Sequence, residues 1–339
     1  MITASSISAQ PERWQQELAR AITDPGKLIE ALNLPFSLLG PAIHASELFP
    51  LRVTRHYLGL MRQGDENDPL LRQVLPLEAE QQQVAGFTPD PVGDHAASLG
   101  AGLLHKYQGR ALLITTGACA IHCRYCFRRH YPYAKDNAIR HWEEMLQGLR
   151  DRPDINEVIL SGGDPLSLSD TRLQQLLAEL ENIGHLRRLR IHTRLPIVLP
   201  ERITPSLLEA LGTNRLNASV VLHCNHPNEL AEALRMPLSQ LRGSGVTLLN
   251  QAVLLAGVND QLETQVALSE RLFEFGVLPY YLHLLDAVEG AAHFSVPAHR
   301  QGQIEAGLEA QLPGYLVPKL VREVAGATSK TPRHRLSNK

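Results

Sequence analysis

Beyond residue 107 the chain repeats one pattern, in which a short run of apolar and β-branched residues precedes a longer stretch with apolar positions at helical spacing. The short runs predict strands at 110–116, 157–162, 188–193, 219–224, 246–255 and 278–285. The longer stretches predict helices at roughly 138–150, 170–183, 205–211, 228–242, 261–275 and 299–310. Six strand–helix units in succession predict a parallel sheet with right-handed crossovers, built as an open partial barrel or as a doubly wound sheet.

The first hundred residues follow a different pattern. Apolar spacing predicts helices at 14–22 and 27–34, and less regularly at 51–61. The stretch 88–94 is rich in Pro, Gly and Asp, which favour turns, so it is the best candidate for a boundary. We therefore divide the chain into a helical N-terminal region (1–95), the strand–helix units (96–298) and a C-terminal segment (299–339).

Polar residues follow the predicted strands at the same end of each. In parallel sheets this is the end where active sites are built, so six such endings together predict one active site. In chain order the residues are Cys119, Cys123 and Cys126, then Gly162, Gly163 and Asp164, then His192, Thr193 and Arg194, then His223 to His226, then Asn250 and Gln251, and finally Asp286.

Composition narrows the class of protein. The chain has 339 residues with 33 Lys+Arg and 35 Asp+Glu, a formal charge of 33 − 35 = −2, which gives no electrostatic case for nucleic acid or a membrane surface as partner. No apolar run approaches the ~18 residues that span a bilayer, and the N-terminus lacks the features of a secretory signal. Four cysteines cannot form a disulfide scaffold in a chain of this length. These features predict a cytoplasmic protein with one thiol-based site.

Three cysteines lie within eight positions, with the spacing C-x3-C-x2-C. One interpretation is a zinc site completed by His122, His130 or Cys224, but structural zinc usually has two paired ligand sets and no second pair is present. Three thiolates suit a four-iron cluster that leaves one iron open for a small molecule. Ligand count therefore favours the iron–sulfur cluster.

The cysteine motif resembles the signature of the radical S-adenosylmethionine (SAM) superfamily, in which an aromatic residue, here Tyr125, precedes the third cysteine. Gly162 and Gly163 resemble the strand-two motif that binds the methionine amine of SAM in that superfamily. The resemblance implies a [4Fe-4S] cluster whose open iron is chelated by SAM. Electron transfer from the cluster then cleaves SAM and yields a 5′-deoxyadenosyl radical.

A longer resemblance runs collinearly from about residue 100 to 330. LLHKYQGRALLITTGACAIHCRYCFRR, EVILSGGDPL, RLPIVLPERIT, HPNEL, NQAVLLAGVND and YLHLLDAVEGAAHF all resemble the lysine 2,3-aminomutase family. The family implies a partial (βα)6 TIM-like barrel with a helical N-terminal extension and a short C-terminal segment carrying a lysine that binds pyridoxal 5′-phosphate (PLP). It implies an isomerase that interconverts L-lysine and β-lysine. The short C-terminus is similar to the bacterial branch that serves elongation factor P and its lysyl ligase.

The family also implies roles for residues at matching positions. Lys330 matches the Schiff-base lysine, although the preceding Ala327-Thr328-Ser329 departs from the family's glycine run. The positions matching phosphate contacts of PLP are Lys106, Tyr107 and Arg110. Those matching SAM contacts are Tyr125, Gly162, Gly163, Asp164, His223 and Gln251. Those matching substrate contacts are Arg128 for the carboxylate, and Asp286 and Glu323 for the ε-ammonium.

Charge supports lysine as the substrate, because burying an ammonium without an acidic partner costs several kcal/mol. Two alternatives remain: a radical SAM enzyme acting on another amino acid or on RNA, and a non-catalytic, zinc-stabilised interaction protein. The cluster requires an electron donor, and the helical N-terminal region is a candidate for homo-oligomer formation.

Overall fold

The computed structural model of the protein describes residues 12–336, and one mixed sheet of nine strands organises it. The strands follow one another in space in sequence order, without closure of the sheet among these residues. They are β1 (Leu103–Tyr107), β2 (Arg110–Thr116), β3 (Glu157–Gly162), β4 (Arg188–Thr193), β5 (Asn217–Leu222), β6 (Thr247–Leu254), β7 (Leu278–Leu284), β8 (Lys319–Arg322) and β9 (Thr331–Pro332).

Every neighbouring pair from β2 to β8 is parallel, which confirms the six predicted strands and the partial (βα)6 barrel. The outermost strands, β1 and β9, pair antiparallel with β2 and β8. The sequence analysis missed β8, which extends the parallel part by one strand. Its four residues contain only Leu320 and Val321 as buried apolar positions, too few to stand out as an apolar run.

Helices alternate with the parallel strands as predicted. Within residues 12–336 the α-helices are α1 (Arg13–Ala19), α2 (Pro25–Ala31), α3 (Leu39–Leu48), α4 (Arg55–Leu58), α5 (Asp94–Ala97), α6 (Trp142–Arg150), α7 (Asp170–Glu181), α8 (Leu195–Val198), α9 (Pro205–Gly212), α10 (Arg235–Gly243), α11 (Leu262–Glu274) and α12 (Ala298–Gln311). The helix predicted at 228–242 begins only at Arg235, because residues 227–229 and 232–234 form separate 3₁₀ turns.

Side-chain caps set several helix boundaries. Ser169 and Thr204 accept hydrogen bonds from the backbone at the starts of α7 and α9. Gly276 has φ +73°, a left-handed conformation that ends the turn after α11 at low steric cost. The helices are therefore bounded at defined residues, and the loops that follow the strands can lie together at one end of the sheet.

The N-terminal region is less regular than predicted. Of the helix expected at 51–61 only α4 forms, while α3 was not predicted, because Gly40 and Pro41 in its first turn resemble a loop. Buried residues of this region, such as Trp14, belong to the same hydrophobic cluster as those of the sheet. Thr54 donates a hydrogen bond to the carbonyl of Val198, so the region directly contacts α8, the helix that follows β4.

The C-terminal segment is fastened to the open edge of the sheet. Thr331 and Pro332 pair with Arg322 and Val321, and the Arg333 guanidinium lies 2.5 Å from a Glu305 carboxylate oxygen on α12. Lys330 directly precedes β9 and is therefore held close to the ends of β7 and β8. Within residues 12–336 no helix combines the length and apolar character needed to cross a membrane.

Candidate active site

A cavity of about 1010 Å³ opens at the end of the sheet where the parallel strands terminate. The sixteen residues to which the family resemblance gave a role all line it, whereas Cys224, Asn225, His226 and Asn250, at the ends of predicted strands, do not. These residues lie together because the loops that follow parallel strands are all at the same end of the sheet. The fold therefore brings the predicted residues together; their individual roles stay predictions.

Contacts with the N-terminal region hold the cysteine loop, which follows β2. Arg124, between the second and third cysteines of the motif, is fully buried, and its guanidinium lies 2.6 Å from Glu80. Arg129 contacts the same carboxylate at 2.7 Å. His122 and Arg124 also donate backbone hydrogen bonds to the carbonyls of Arg52 and Gln73. The sequence analysis missed this support, because Glu80 lies in the region treated as a separate extension.

The three cysteines of the motif have the donor chemistry of an iron–sulfur cluster. Burial raises the pKa of the Cys119 thiol well above its usual value and that of Cys126 to about 11. These thiols therefore need a strongly positive partner to lose their protons, which iron supplies. Arg194 donates a hydrogen bond to the sulfur of Cys123 at 2.8 Å and adds a positive charge to the same wall.

The residues considered for a zinc site do not gather around one point. Among residues 12–336, no three His, Cys, Asp or Glu side chains are positioned to hold a single metal ion. The Cys224 thiol contacts the carbonyl of His226 at 3.4 Å, and His122 contacts the carbonyl of Pro50 through Nδ1. A four-iron cluster differs from zinc here, because each cysteine binds a different iron atom.

The glycine pair after β3 lies against the cysteine loop. Gly162 has φ +117°, and Gly163 donates a backbone hydrogen bond to the carbonyl of Thr116 at 2.6 Å. A Cβ atom on Gly163 would lie 2.4 Å from the Ala118 carbonyl oxygen, so only glycine fits. The pair thus fixes the spacing between the cysteine loop and the end of β3.

Replacing Gly163 with alanine is expected to displace the cysteine loop, since the added methyl group meets the backbone of Ala118. We expect destabilisation of about 1–3 kcal/mol and a clear loss of iron per chain after anaerobic reconstitution. Gly184→Ala is the matched control, because its Cβ would meet nothing within 4 Å. Thermal unfolding and iron analysis measure both effects; equal iron content in the two variants would contradict this role of Gly163.

Asp164 connects the ends of two strands. Its carboxylate accepts hydrogen bonds from the Thr193 hydroxyl at 2.7 Å and from the backbone N–H groups of Arg194 and Leu195. Burial raises its pKa to about 6, although these hydrogen bonds oppose the rise. Asp164 thereby ties the glycine pair to the end of β4, a structural duty besides its predicted contact with SAM.

A buried polar cluster surrounds Tyr125 behind the cysteines. The Tyr125 hydroxyl lies 2.8 Å from His223 Nε2 and accepts a hydrogen bond from Asn225 at 2.6 Å. Burial and the Arg194 charge lower the pKa of His223 to about 3, so its ring is neutral at physiological pH, although a hydrogen bond with the backbone of Gln251 opposes this. Of the predicted SAM contacts, Tyr125 and His223 are therefore joined in one network.

Arg194 is a central cation of this cluster to which the sequence assigned no role. Besides Cys123, it contacts Tyr125, and it donates to Gln73 at 2.8 Å and to Glu229 at 2.9 Å. The Glu229 carboxylate is fully buried and supplies the opposite charge. The position of Arg194 at the end of the third predicted strand indicated a place in the site. The sequence held no such indication for Glu229, because its partner Arg194 lies 35 residues away in the chain.

Five alternating charges cross the open seam between the first and last strands; we call them the seam network. Its members are Arg128, Asp94, Lys106, Glu323 and Lys330. The distances between successive charged atoms are 2.6 Å (Arg128 to Asp94), 2.6 Å (Asp94 to Lys106), 3.2 Å (Lys106 to Glu323) and 2.7 Å (Glu323 to Lys330). Asp94, in the stretch taken as a domain boundary, was missed.

The two acidic members of the seam network are ionised. Although burial opposes it, Arg128 and Lys106 hold the pKa of Asp94 below its usual value. Lys330 and Lys106 likewise overcome burial and lower the pKa of Glu323 to about 2. Asp286, in contrast, has a buried carboxylate oxygen without a hydrogen-bond partner in the described structure. Burial and then the Glu323 charge raise its pKa to about 7.

The part of the cavity near Lys330 fits an anionic cofactor such as PLP. Arg110 has a buried Nε without a hydrogen-bond partner among the described residues, and the Tyr107 hydroxyl is buried beside Glu323. Both lie next to Lys106 in the cavity wall, and a phosphate group would satisfy such donors. The Lys330 amine lies 5.7 Å from the centre of the Tyr281 ring and faces the same space.

Comparison with known proteins places this site in a class. The profile of the radical SAM superfamily matches residues 113–235, which include the cysteine loop, the glycine pair and His223. This part of the chain is thus a radical SAM domain. Among solved structures, a radical SAM methyltransferase from Sphaerobacter thermophilus overlaps 65% of this chain and 68% of its own, at 18% identity and a TM-score of 0.43.

Similarity to curated proteins extends over nearly the whole chain. It is 48% identical to L-lysine 2,3-aminomutase of Escherichia coli (strain K12) over 325 residues, which cover 95% of this chain and 94% of the other. It is 45% identical to L-lysine 2,3-aminomutase of Haemophilus influenzae, with 96% of each chain covered. The chain belongs to the L-lysine 2,3-aminomutase family and is an enzyme of the isomerase class. This assignment favours an enzyme over a zinc-stabilised interaction protein.

Proposed function

We propose that this enzyme interconverts L-α-lysine and β-lysine by moving the amino group between C2 and C3. The observation that carries the proposal is that Arg128 and two carboxylates, Asp286 and Glu323, line the cavity that also holds Lys330. Lysine has a carboxylate for the arginine, a distant ammonium for the acidic pair and an α-amine for the cofactor site. Names of family members cited above support lysine as the substrate.

The cofactors would be held at opposite sides of this cavity. Cys119, Cys123 and Cys126 would hold a [4Fe-4S] cluster, the glycine pair would border SAM, and Lys330, Lys106 and Arg110 would hold PLP. When bound, the cluster and SAM supply the radical that removes a hydrogen atom from the substrate, and PLP supplies a ring system that spreads the unpaired electron. The rest of the reaction depends on how the protein binds and orients lysine.

Arg128 would orient the substrate through its carboxylate. The guanidinium is buried, and its Nε and Nη1 atoms are fixed by Asp94 at 2.6 Å and by the Ser161 hydroxyl at 3.0 Å. A guanidinium held on two sides in this way presents its remaining donor in a set direction, and a carboxylate is its natural partner. Ser161 lies at the end of β3, so the strand itself aims Arg128 into the cavity.

Asp286→Asn is expected to weaken the use of lysine, because it removes a charge-assisted hydrogen bond to the ε-ammonium. The loss is worth about 1.5–3 kcal/mol, or roughly 10- to 150-fold in kcat/KM. Glu323→Gln should act in the same direction, and the two losses should not simply add, since both carboxylates share one cation. Steady-state kinetics with matched cluster and PLP occupancy measure both; unchanged values in both variants would remove the basis for lysine as substrate.

The same carboxylate predicts how lysine binding responds to pH. Because the pKa of Asp286 is about 7 in the substrate-free enzyme, its charge is present above pH 7 and lost below it. Affinity for the lysine cation should therefore rise as the pH increases through 7. Asp286→Asn should flatten this rise, whereas a loss of total affinity with an unchanged pH profile would assign the ionisation to another group.

The physiological setting is proposed from the resemblance to the bacterial branch of the family that serves elongation factor P. We propose that β-lysine is passed to the lysyl ligase that modifies elongation factor P. Cluster thiols require a reducing compartment, which supports a cytoplasmic location with an intracellular electron donor. Adding purified ligase and elongation factor P to the reaction tests the link: a mass increase of elongation factor P that needs this enzyme supports it, and no increase contradicts it.

The direct test of the activity is anaerobic incubation of the reconstituted enzyme with lysine, SAM, PLP and dithionite, followed by amino-acid analysis. β-Lysine should accumulate only with all components. An unchanged lysine pool with full cluster and PLP occupancy would contradict the proposal. RNA added to the assay should not inhibit, because the alternative of an RNA substrate predicts competition.

A further inference from the structure

The two carboxylates predicted to bind the substrate ammonium have different partners in the substrate-free protein. Glu323 holds Lys330 at 2.7 Å and Lys106 at 3.2 Å, so both of its oxygen atoms contact cations. Asp286 has a buried oxygen atom without a partner in the described structure. The position that Glu323 would offer to the substrate is therefore taken by the enzyme's own lysine.

Other groups that face Lys330 do not replace Glu323 as its counter-ion. Tyr281 presents its ring, and the histidines His192 and His283 are neutral, since burial lowers their pKa values well below the usual value. The side chains of Lys330 and Glu323 are only 19% and 17% exposed, so water screens the pair incompletely. The contact must be given up before the amine can react, because lysine acts as a nucleophile in its neutral form.

We propose that Glu323 exchanges cations during the enzyme's cycle: it holds Lys330 until the cofactor is captured and then receives the ε-ammonium of the substrate. This inference rests on the proposed function. Glu323 then slows the capture of PLP by Lys330 in addition to contacting the substrate. PLP capture must also come before the substrate ammonium binds. Lysine finds the site vacated only after Lys330 has left it.

The charges of the seam network give the reason for this order. During capture Lys330 loses one proton to solvent, its nitrogen forms a carbon–nitrogen double bond with the aldehyde carbon of PLP, and the aldehyde oxygen leaves as water with the two remaining N–H hydrogens. Lys330 then no longer neutralises Glu323, and a phosphate group would draw Lys106 away as well. A buried carboxylate left without a cation is costly, so the substrate ammonium restores its partner.

The decisive experiment compares cofactor capture by Glu323→Gln and Asp286→Asn in the full-length, PLP-free chain. Absorbance after mixing with PLP follows capture, and borohydride reduction with peptide mapping confirms the site as Lys330. Glu323→Gln should capture PLP about 3- to 10-fold faster than the unchanged protein. Asp286→Asn should stay within about twofold, because Asp286 senses the Lys330 charge but forms no ion pair with it among the described residues.

Glu323→Asp keeps the negative charge and should capture PLP as slowly as the unchanged protein. A faster reaction in Glu323→Gln cannot arise from misfolding, which would slow capture. An equal or slower rate in Glu323→Gln, with labelling still at Lys330, would overturn the exchange of cations. Absence of PLP capture by the unchanged protein would instead contradict the proposed function, so the two failures are distinguishable.

Discussion

Replacing any one of Cys119, Cys123 and Cys126 with alanine is expected to abolish SAM cleavage and reduce iron content sharply. Each thiol would bind a different iron atom, and three protein ligands leave no spare one for a four-iron cluster. Burial keeps the Cys119 and Cys126 thiols protonated without a metal, so iron binding must supply the free energy that ionises them. Iron analysis and 5′-deoxyadenosine production after anaerobic reconstitution measure the effect.

Cys224→Ser provides the control. This thiol is buried, contacts the carbonyl of His226 and lies outside the cavity wall, so its replacement should leave iron content nearly unchanged. Full SAM cleavage by any one of the three motif variants would refute the cluster assignment. Iron loss in Cys224→Ser alone would point to a different ligand set.

Lys330→Ala is expected to prevent covalent capture of PLP and to reduce turnover by at least about a thousandfold, since no other amine occupies its position. The cluster should still assemble, because the described contacts of the Lys330 amine are with Glu323 and the Tyr281 ring rather than with the cysteines. Lys319→Ala is the matched control: this lysine also borders the cavity but is exposed on β8. Borohydride reduction and peptide mapping locate the trapped cofactor.

The position of the trapped PLP label should distinguish the control from the variant. The unchanged protein and Lys319→Ala should both carry the label on Lys330, and Lys330→Ala should carry none. Label on Lys106 or on Lys319 in the unchanged protein would refute the assignment. In that case the departure from the family's glycine run before Lys330 would be the first place to look for the reason.

The local pattern of apolar residues predicted the barrel, because each predicted parallel strand forms a separate apolar run in the sequence. Each of the six predicted strands holds at least three apolar or β-branched positions, and their order predicts the crossovers. The four-residue β8 was too short to be recognised, and α3 was concealed by Gly40 and Pro41. Elements whose stability comes from long-range packing leave little trace in a window of sequence.

The residues of the candidate site likewise fall into those that the sequence could predict and those that it could not. Residues within motifs, such as the cysteines and the glycine pair, could be found because spacing alone carries their chemistry. The supporting pairs could not, since Arg124 meets Glu80, Arg194 meets Glu229 and Lys106 meets Glu323 across long sequence separations. The sequence shows that these residues are charged, but only the folded structure shows which charged residue each of them contacts.

The proposed function requires one cavity to bind a cluster, SAM, PLP and lysine and to move an amino group within a single substrate molecule. The most direct test is anaerobic turnover of L-lysine that carries ¹⁵N on its α-nitrogen only, with the products analysed by nuclear magnetic resonance. The account predicts β-lysine with ¹⁵N bonded to C3, formed by the unchanged enzyme and not by Lys330→Ala. An enzyme with full cluster and PLP occupancy that forms no β-lysine, or forms it without the label, would contradict the account.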